Sequence, residues 1–94
     1  MDREEAARLL SDHLTQFRSL TYAELAAHIG IDEYMEVVGE SKISYQIEIQ
    51  FMWDGAEGGD IRVSAGIDDG SLRGAFRPVC EDFVITPKGR LIGE

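Results

Sequence analysis

The length, composition and charge of the chain exclude several classes of protein. Its 94 residues support one domain, residues 1–94, and a hydrophobic fraction of 44% is enough for one modest core. Eighteen acidic residues against nine basic ones give a net charge of −9, which disfavours nucleic-acid binding because phosphate contacts require clustered cations.

The first predicted element is a helix over Arg3–Arg18. Asp2 and Glu5 have the spacing of a capping box, in which each side chain binds a free backbone N–H at the helix start. Apolar side chains then recur at helical spacing: Ala6, Leu9, Leu10, His13, Leu14 and Phe17. The helix should therefore pack one stripe against a core.

A second, shorter helix is predicted over Tyr22–Ile29. Thr21 and Glu24 repeat the capping-box spacing, and Gly30 stands where a left-handed C-terminal stop favours glycine. A second apolar stripe supports this helix: Tyr22, Leu25, Ala26 and Ile29.

Two interpretations compete for the segment that follows this helix. Leu25–Ile31 resembles the first helix and turn of a helix-turn-helix motif, which would make Asp32–Val38 a recognition helix and Asp54–Asp60 the wing of a winged-helix domain. Three acidic residues and no Lys or Arg in that recognition helix would repel phosphates. We therefore favour a strand over Met35–Val38 that ends at Gly39.

The strongest strand signal is a strict alternation over Ile43–Trp53, in which apolar residues occupy every second position. After a glycine-rich break, Ile61–Ile67 resumes the alternation, which predicts an antiparallel hairpin. Keeping apolar side chains on one face requires Trp53 or Phe51 to stand opposite Ile61.

A second hairpin is predicted around the turn Asp68–Ser71. The turn length and the apolar pattern together predict these pairs: Ile67 with Leu72, Ala65 with Gly74, and Val63 with Phe76. Pro78 cannot donate a ladder hydrogen bond and should end that strand. A last short pair joins Phe83–Thr86 to Leu91–Ile92.

These elements predict an α+β fold, with two N-terminal helices packed on one face of a four- to five-stranded antiparallel meander sheet. Residues 1–60 carry thirteen acidic and four basic residues, whereas residues 61–94 carry five of each. One end or face of the domain should therefore be strongly negative.

Catalytic and metal-binding candidates are few. Cys80 with His13 or His28 is the only possible thiol–imidazole pair, and both histidines fall on predicted helices, so we interpret Cys80 as a half-buried filler. The adjacent carboxylates Glu81 and Asp82 should point in different directions in an extended chain.

The loop carboxylates also lack the spacing of a known site. An EF-hand loop needs oxygen ligands at alternating positions and a bidentate Glu at its twelfth position. The glycine-rich loop has three carboxylates, Asp54, Glu57 and Asp60, and they do not have this spacing. We expect no metal ion, no cofactor and no catalytic residue, and hence no enzyme.

The outer face of the predicted sheet is the candidate interface. Alternation places Arg62 opposite Arg77 and near Arg73, a repulsive cluster unless Glu48 or a partner offsets it. Arginines with Met52 beside them suit an interface hot spot.

The leading hypothesis is a small, acidic, non-catalytic protein-interaction module, of the kind that includes inhibitors, antitoxins and immunity proteins. Its expected partner is a protein or a second copy, with neither nucleic acid nor membrane involved. The alternatives are a winged-helix-like regulatory domain and a ligand-binding or enzymatic domain completed by oligomerisation. A single cysteine and no export signal or apolar span favour a cytoplasmic location.

Overall fold

The computed structural model of the chain describes residues 2–70 and 79–92. Within them, two helices precede five strands: α1 (Arg3–Arg18), α2 (Tyr22–Ala26), β1 (Glu33–Val38), β2 (Ser44–Trp53), β3 (Ile61–Asp68), β4 (Val79–Ile85) and β5 (Leu91–Ile92). All five strands form one antiparallel sheet in the order β1-β2-β3-β4-β5. The predicted α+β class and the meander order are confirmed.

Helix α1 has the predicted bounds, but its capping box is only half formed. Asp2 Oδ1 accepts a hydrogen bond from the Glu5 backbone N–H at 3.0 Å. The Glu5 side chain turns inward to the β1–β2 hairpin instead. The buried stripe consists of Ala6, Leu10, Leu14 and Phe17, with Leu9 half-buried beside it. No helix of the described residues is long and apolar enough to cross a membrane.

Helix α2 is shorter than predicted. The Thr21–Glu24 capping box is complete, but the helix ends at Ala26 instead of Ile29. The chain then tightens into hydrogen bonds between residues three apart, with Ile29 N–H donating to Ala26 O. Gly30 takes the left-handed conformation, with φ of 81°, and its N–H donates to Phe51 O on β2. The exit from α2 is thus tied to the sheet.

The strand pairings separate the sheet into two faces by residue number. Trp53 stands opposite Ile61, as predicted, and every other recorded pair also joins two odd or two even residues. Odd-numbered strand residues point toward the helices, forming the helical face, and even-numbered ones point away, forming the open face. Ile47, Ile49 and Phe51 share one core with helix residues, as predicted: Leu10, Leu14 and Leu25.

The winged-helix interpretation is wrong for the segment Asp32–Val38. This segment contains β1, which pairs with β2 from Glu33 opposite Ile49 to Val38 opposite Ser44. Pairing with the longest strand satisfies the backbone of this segment and half-buries Met35 and Val37 against the core.

The predicted register of the second hairpin is also wrong. Strand β3 pairs with β4, so that Ile67 stands opposite Val79, Ala65 opposite Glu81 and Val63 opposite Phe83. This pairing buries Phe83 and Ile85 against the core, which supplies apolar stabilisation. Residues 71–78 lie outside the described residues. The β4–β5 pair is confirmed, with Ile85 opposite Leu91.

One charged side chain belongs to the interior. Glu5 is only 5% exposed, and its carboxylate accepts hydrogen bonds from the Tyr45 hydroxyl at 2.8 Å and from the Ser41 backbone N–H at 3.0 Å. The Ser41 hydroxyl donates to it as well. A Cβ at Gly39 would overlap this carboxylate, so glycine leaves the room that Glu5 occupies. These contacts join α1 to the β1–β2 hairpin.

Replacing Phe51 by alanine tests the core. The ring is 3% exposed and meets Phe17 edge-on, with 5.5 Å between centroids. Phe51→Ala should lower the free energy of unfolding by about 3–5 kcal/mol, a large part of the roughly 5–15 kcal/mol of an ordinary domain. Met52→Ala, on the open face of the same strand, is the control and should cost about 1 kcal/mol or less. Equal losses in chemical denaturation would contradict the assignment of faces.

The Glu5 cluster should make stability depend on acid pH. Hydrogen bonds from Ser41, and then from Tyr45, lower the pKa of Glu5 from its ordinary 4.5 despite burial. A lowered pKa in the folded state stabilises the fold above pH 4.5, and this contribution is lost as the pH falls through the folded-state pKa. Glu5→Gln should flatten that acid dependence and lower stability at neutral pH. A variant with the parent's acid dependence would show that Glu5 does not titrate in this way.

Candidate functional site

The open face is the side of the sheet that neither helix covers. In the described strands it carries four carboxylates, and Arg62 is its only described cation: the four are Glu36, Glu48, Asp68 and Asp82. Tyr34, Val38 and Ile92 are exposed on the same face. It combines negative charge with separate apolar groups, a composition that suits recognition of a positively charged surface.

Arg62 is held in place by two carboxylates. Its Nε donates to Asp54 Oδ1 at 3.0 Å, and a guanidinium nitrogen donates to Asp82 Oδ2 at 2.6 Å. The hydrogen bonds from Arg62 to Asp54, and then to Asp82, raise the pKa of this guanidinium, so it stays charged. Asp54 begins the β2–β3 loop and Asp82 lies in β4, so the arginine links three parts of the sheet. Its charge is therefore offset locally.

The carboxylates nearer β1 have no such cation. Among the described residues, no lysine or arginine forms an ion pair with Glu36, Glu48 or Asp68. Tyr34 stands opposite Glu48, and hydrogen bonding to this carboxylate, together with its charge, raises the pKa of the Tyr34 hydroxyl. The tyrosine thus stays a neutral donor among acids, which is an amphipathic side chain suited to an interface.

Two shallow depressions lie side by side on the open face. One of about 410 Å³ is lined by Glu48, Gln50, Ser64, Gly66, Cys80 and Asp82, among others. The other, of about 390 Å³, is lined by Tyr34, Glu36, Gln46, Glu48 and Asp68, among others. Gly66 has no side chain, so the first depression reaches the sheet backbone. Depressions lined by carboxylates can accept the ends of lysine or arginine side chains.

The predicted interface residues have mixed outcomes. Met52 and Arg62 are neighbours on the open face, as predicted, and both are half-buried. Arg62 stands opposite Val84 and not opposite Arg77, because β4 occupies the neighbouring position. Arg73 and Arg77 lie outside the described residues.

The predicted partner of Arg62 was also wrong. Glu48 stands opposite Gly66, four residues along β3 from Arg62, a separation of about 13 Å along the strand. The carboxylates that do reach Arg62 were not predicted, because Asp54 lies in a loop and Asp82 lies in β4, whose pairing with β3 differs from the predicted register. Extending the period-two pattern through every strand would have placed Tyr34, Glu36, Asp68 and Asp82 on this face.

Cys80 differs from its prediction as a half-buried filler, since the structure places it exposed on the open face. The histidines lie on the helical side, where the ring of His13 contacts Leu9 O and that of His28 contacts Glu24 O. The structure therefore does not bring the thiol and an imidazole together. No group of three or more possible metal ligands occurs among residues 2–70 and 79–92.

The adjacent carboxylates Glu81 and Asp82 point to opposite faces, as predicted. Glu81 pairs with Arg18 of α1 at 3.0 Å, and this guanidinium also lies over the Phe83 ring. Asp82 instead binds Arg62 on the open face. One carboxylate therefore fastens α1 to the sheet, and the other belongs to the candidate interface.

No family model, curated protein or solved structure matches this chain.

Alkylation of Cys80 tests its exposure. Because the thiol lies exposed beside Glu48 and Asp82, we expect one thiol per chain to react in the folded protein, within about tenfold of the rate in denaturant. The measurement is a timed reaction with a thiol reagent followed by mass spectrometry. Protection of several orders of magnitude, lost only on unfolding, would contradict the exposed position.

Proposed function

We propose that this protein is a small non-catalytic interaction module that binds a basic protein through its open face. The observation that carries the proposal is the unneutralised negative charge of this face around Glu36, Glu48 and Asp68. The same face offers Tyr34 and Met52, and aromatic and methionine side chains are enriched at protein interfaces. Inhibitors, antitoxins and immunity proteins are modules of this kind.

The charge of the whole chain supports the same partner chemistry. A net charge of −9 produces a long-range field that accelerates encounters with a basic protein and repels phosphate backbones and anionic membranes. The sheet face then supplies short-range contacts. Asp54 and Asp82 hold the Arg62 side chain in one orientation beside Met52, where it can donate hydrogen bonds to a partner.

A reducing compartment is part of the proposal. Cys80, the single cysteine of the chain, is exposed on the proposed binding face. An exposed thiol persists unmodified in the cytoplasm, whereas an oxidising compartment would favour mixed disulfides with it. We therefore propose a cytoplasmic location.

The test compares two single charge reversals of equal size. Glu48→Lys changes the centre of the open face, and Asp12→Lys changes an exposed position of α1 on the other side of the sheet. Partners are captured from source-cell cytosol with each protein, at low and at high salt, and identified by mass spectrometry. We expect a basic partner whose capture falls about tenfold with Glu48→Lys, mainly at low salt, and stays nearly unchanged with Asp12→Lys.

The same complex can be located on the surface by chemistry. Binding at the open face should slow alkylation of Cys80, which lines the depression beside Glu48. Equal losses of capture with both variants would show that only net charge matters. An acidic partner, or unchanged alkylation in the complex, would contradict binding at this face.

A further inference from the structure

Strand β1 forms one edge of the sheet. It pairs with β2 on one side, and no strand of the described residues pairs with its other side. The adjoining turn shows which backbone groups are free. Gly39 N–H donates to Ile43 O, and Gly39 C=O accepts from Lys42 N–H, so both groups of Gly39 face β2.

In an antiparallel ladder, the backbone N–H and C=O groups of successive residues point alternately to one side of the strand and to the other. This alternation sets the direction of the backbone groups in β1. Counting back from Gly39, the backbone groups of Met35 and Val37 face β2. Those of Tyr34, Glu36 and Val38 face outward from the sheet. The side chains of these three residues belong to the open face, so a strand added at this edge would extend that face.

The apolar side chains most exposed to solvent are concentrated at this edge. Ile31, Tyr34 and Val38 are 57%, 71% and 63% exposed, and they are three of the four large exposed hydrophobic residues in the described chain. Edge strands are commonly protected by charged side chains, especially lysine, by proline or by a bulge. Strand β1 has two glutamates but no lysine or proline, and its pairing with β2 is continuous, so its only protection is negative charge.

Charge decides which strand can pair here. Residues 31–40 contain four carboxylates and neither lysine nor arginine: Asp32, Glu33, Glu36 and Glu40. With Glu36 at the two-fold axis, antiparallel addition of a second copy would place Glu36 opposite Glu36 and Asp32 opposite Glu40, and like charges across a ladder are unfavourable. A strand with cations at alternate positions would instead place them beside Glu36 and near Glu48 on the open face.

We propose that the β1 edge binds an extended segment of a basic partner, which adds as an antiparallel sixth strand with lysine or arginine at alternate positions. This inference rests on the proposed function and specifies how the partner attaches. Backbone hydrogen bonds to Tyr34, Glu36 and Val38 provide the attachment, and the carboxylates select the basic side chains.

The test uses the synthetic peptide acetyl-Lys-Val-Lys-Val-Lys-Val-Lys-amide and amide NMR of the full chain. In antiparallel addition with its lysines on the open face, the lysine N–H groups point at β1 and the valine N–H groups point away. We expect binding with a Kd on the order of 100 μM at low salt, with slowed hydrogen exchange at Tyr34, Glu36 and Val38.

Two N-methylated peptides of equal charge provide the matched controls. N-methylation of the lysines removes the hydrogen bonds to β1 and should weaken binding at least about tenfold, whereas N-methylation of the valines should change it little. On the protein, Glu36→Lys should weaken binding of the parent peptide, and Asp12→Lys should not. A Kd above about 1 mM, equal binding of both methylated peptides, or a concentration-dependent dimer lost with Val38→Lys would overturn the proposal.

The outcome also separates this inference from the proposed function. If the edge fails these tests while Glu48→Lys still abolishes capture of the basic partner, the open face remains the interface and only the edge is wrong. If Glu48→Lys leaves capture unchanged and the lysine–valine peptide does not bind, both proposals are wrong.

Discussion

Odd-numbered residues pair with odd and even-numbered residues with even across the five strands, and this geometric constraint assigns every strand side chain to one of two faces. A strand alternates its side chains between two faces, so a single shift of register would exchange buried and exposed residues. Here β2 stands at the centre of the constraint, because its buried side chains Tyr45, Ile47, Ile49 and Phe51 meet the helices while its polar residues lie on the open face. The core and the proposed interface therefore have a common origin.

The helical layer is attached to the sheet by polar contacts at its two ends. Glu5, near the start of α1, reaches Tyr45 and the turn at Ser41. Arg18, at the end of the same helix, pairs with Glu81 of β4. Between them α1 packs on the sheet through apolar side chains, whose attraction is less directional than a hydrogen bond. A buried carboxylate is tolerated only where its hydrogen bonds are complete, so these polar contacts select one placement of the helix.

The open face and the β1 edge are complementary parts of one proposed binding surface. The face contributes carboxylates that are not neutralised, and the edge contributes backbone groups that any extended chain can use. Backbone hydrogen bonds alone select no sequence, and surface charge alone fixes no orientation. Together they would give a small protein both attachment and selectivity, although its depressions are shallow and it has 94 residues.

Helix α1, the strand alternation and the meander could be predicted from the sequence, because helical stripes, caps and period-two patterns are local properties of the chain. Bounds such as Arg3–Arg18 and the pair Trp53–Ile61 follow from such patterns. The tertiary structure decided what depends on competition between distant segments. Strand β4 pairs with β3 and buries Phe83 and Ile85. This pairing leaves Cys80 exposed and brings Asp82 to Arg62, and only the packed helix directs Glu5 to Tyr45.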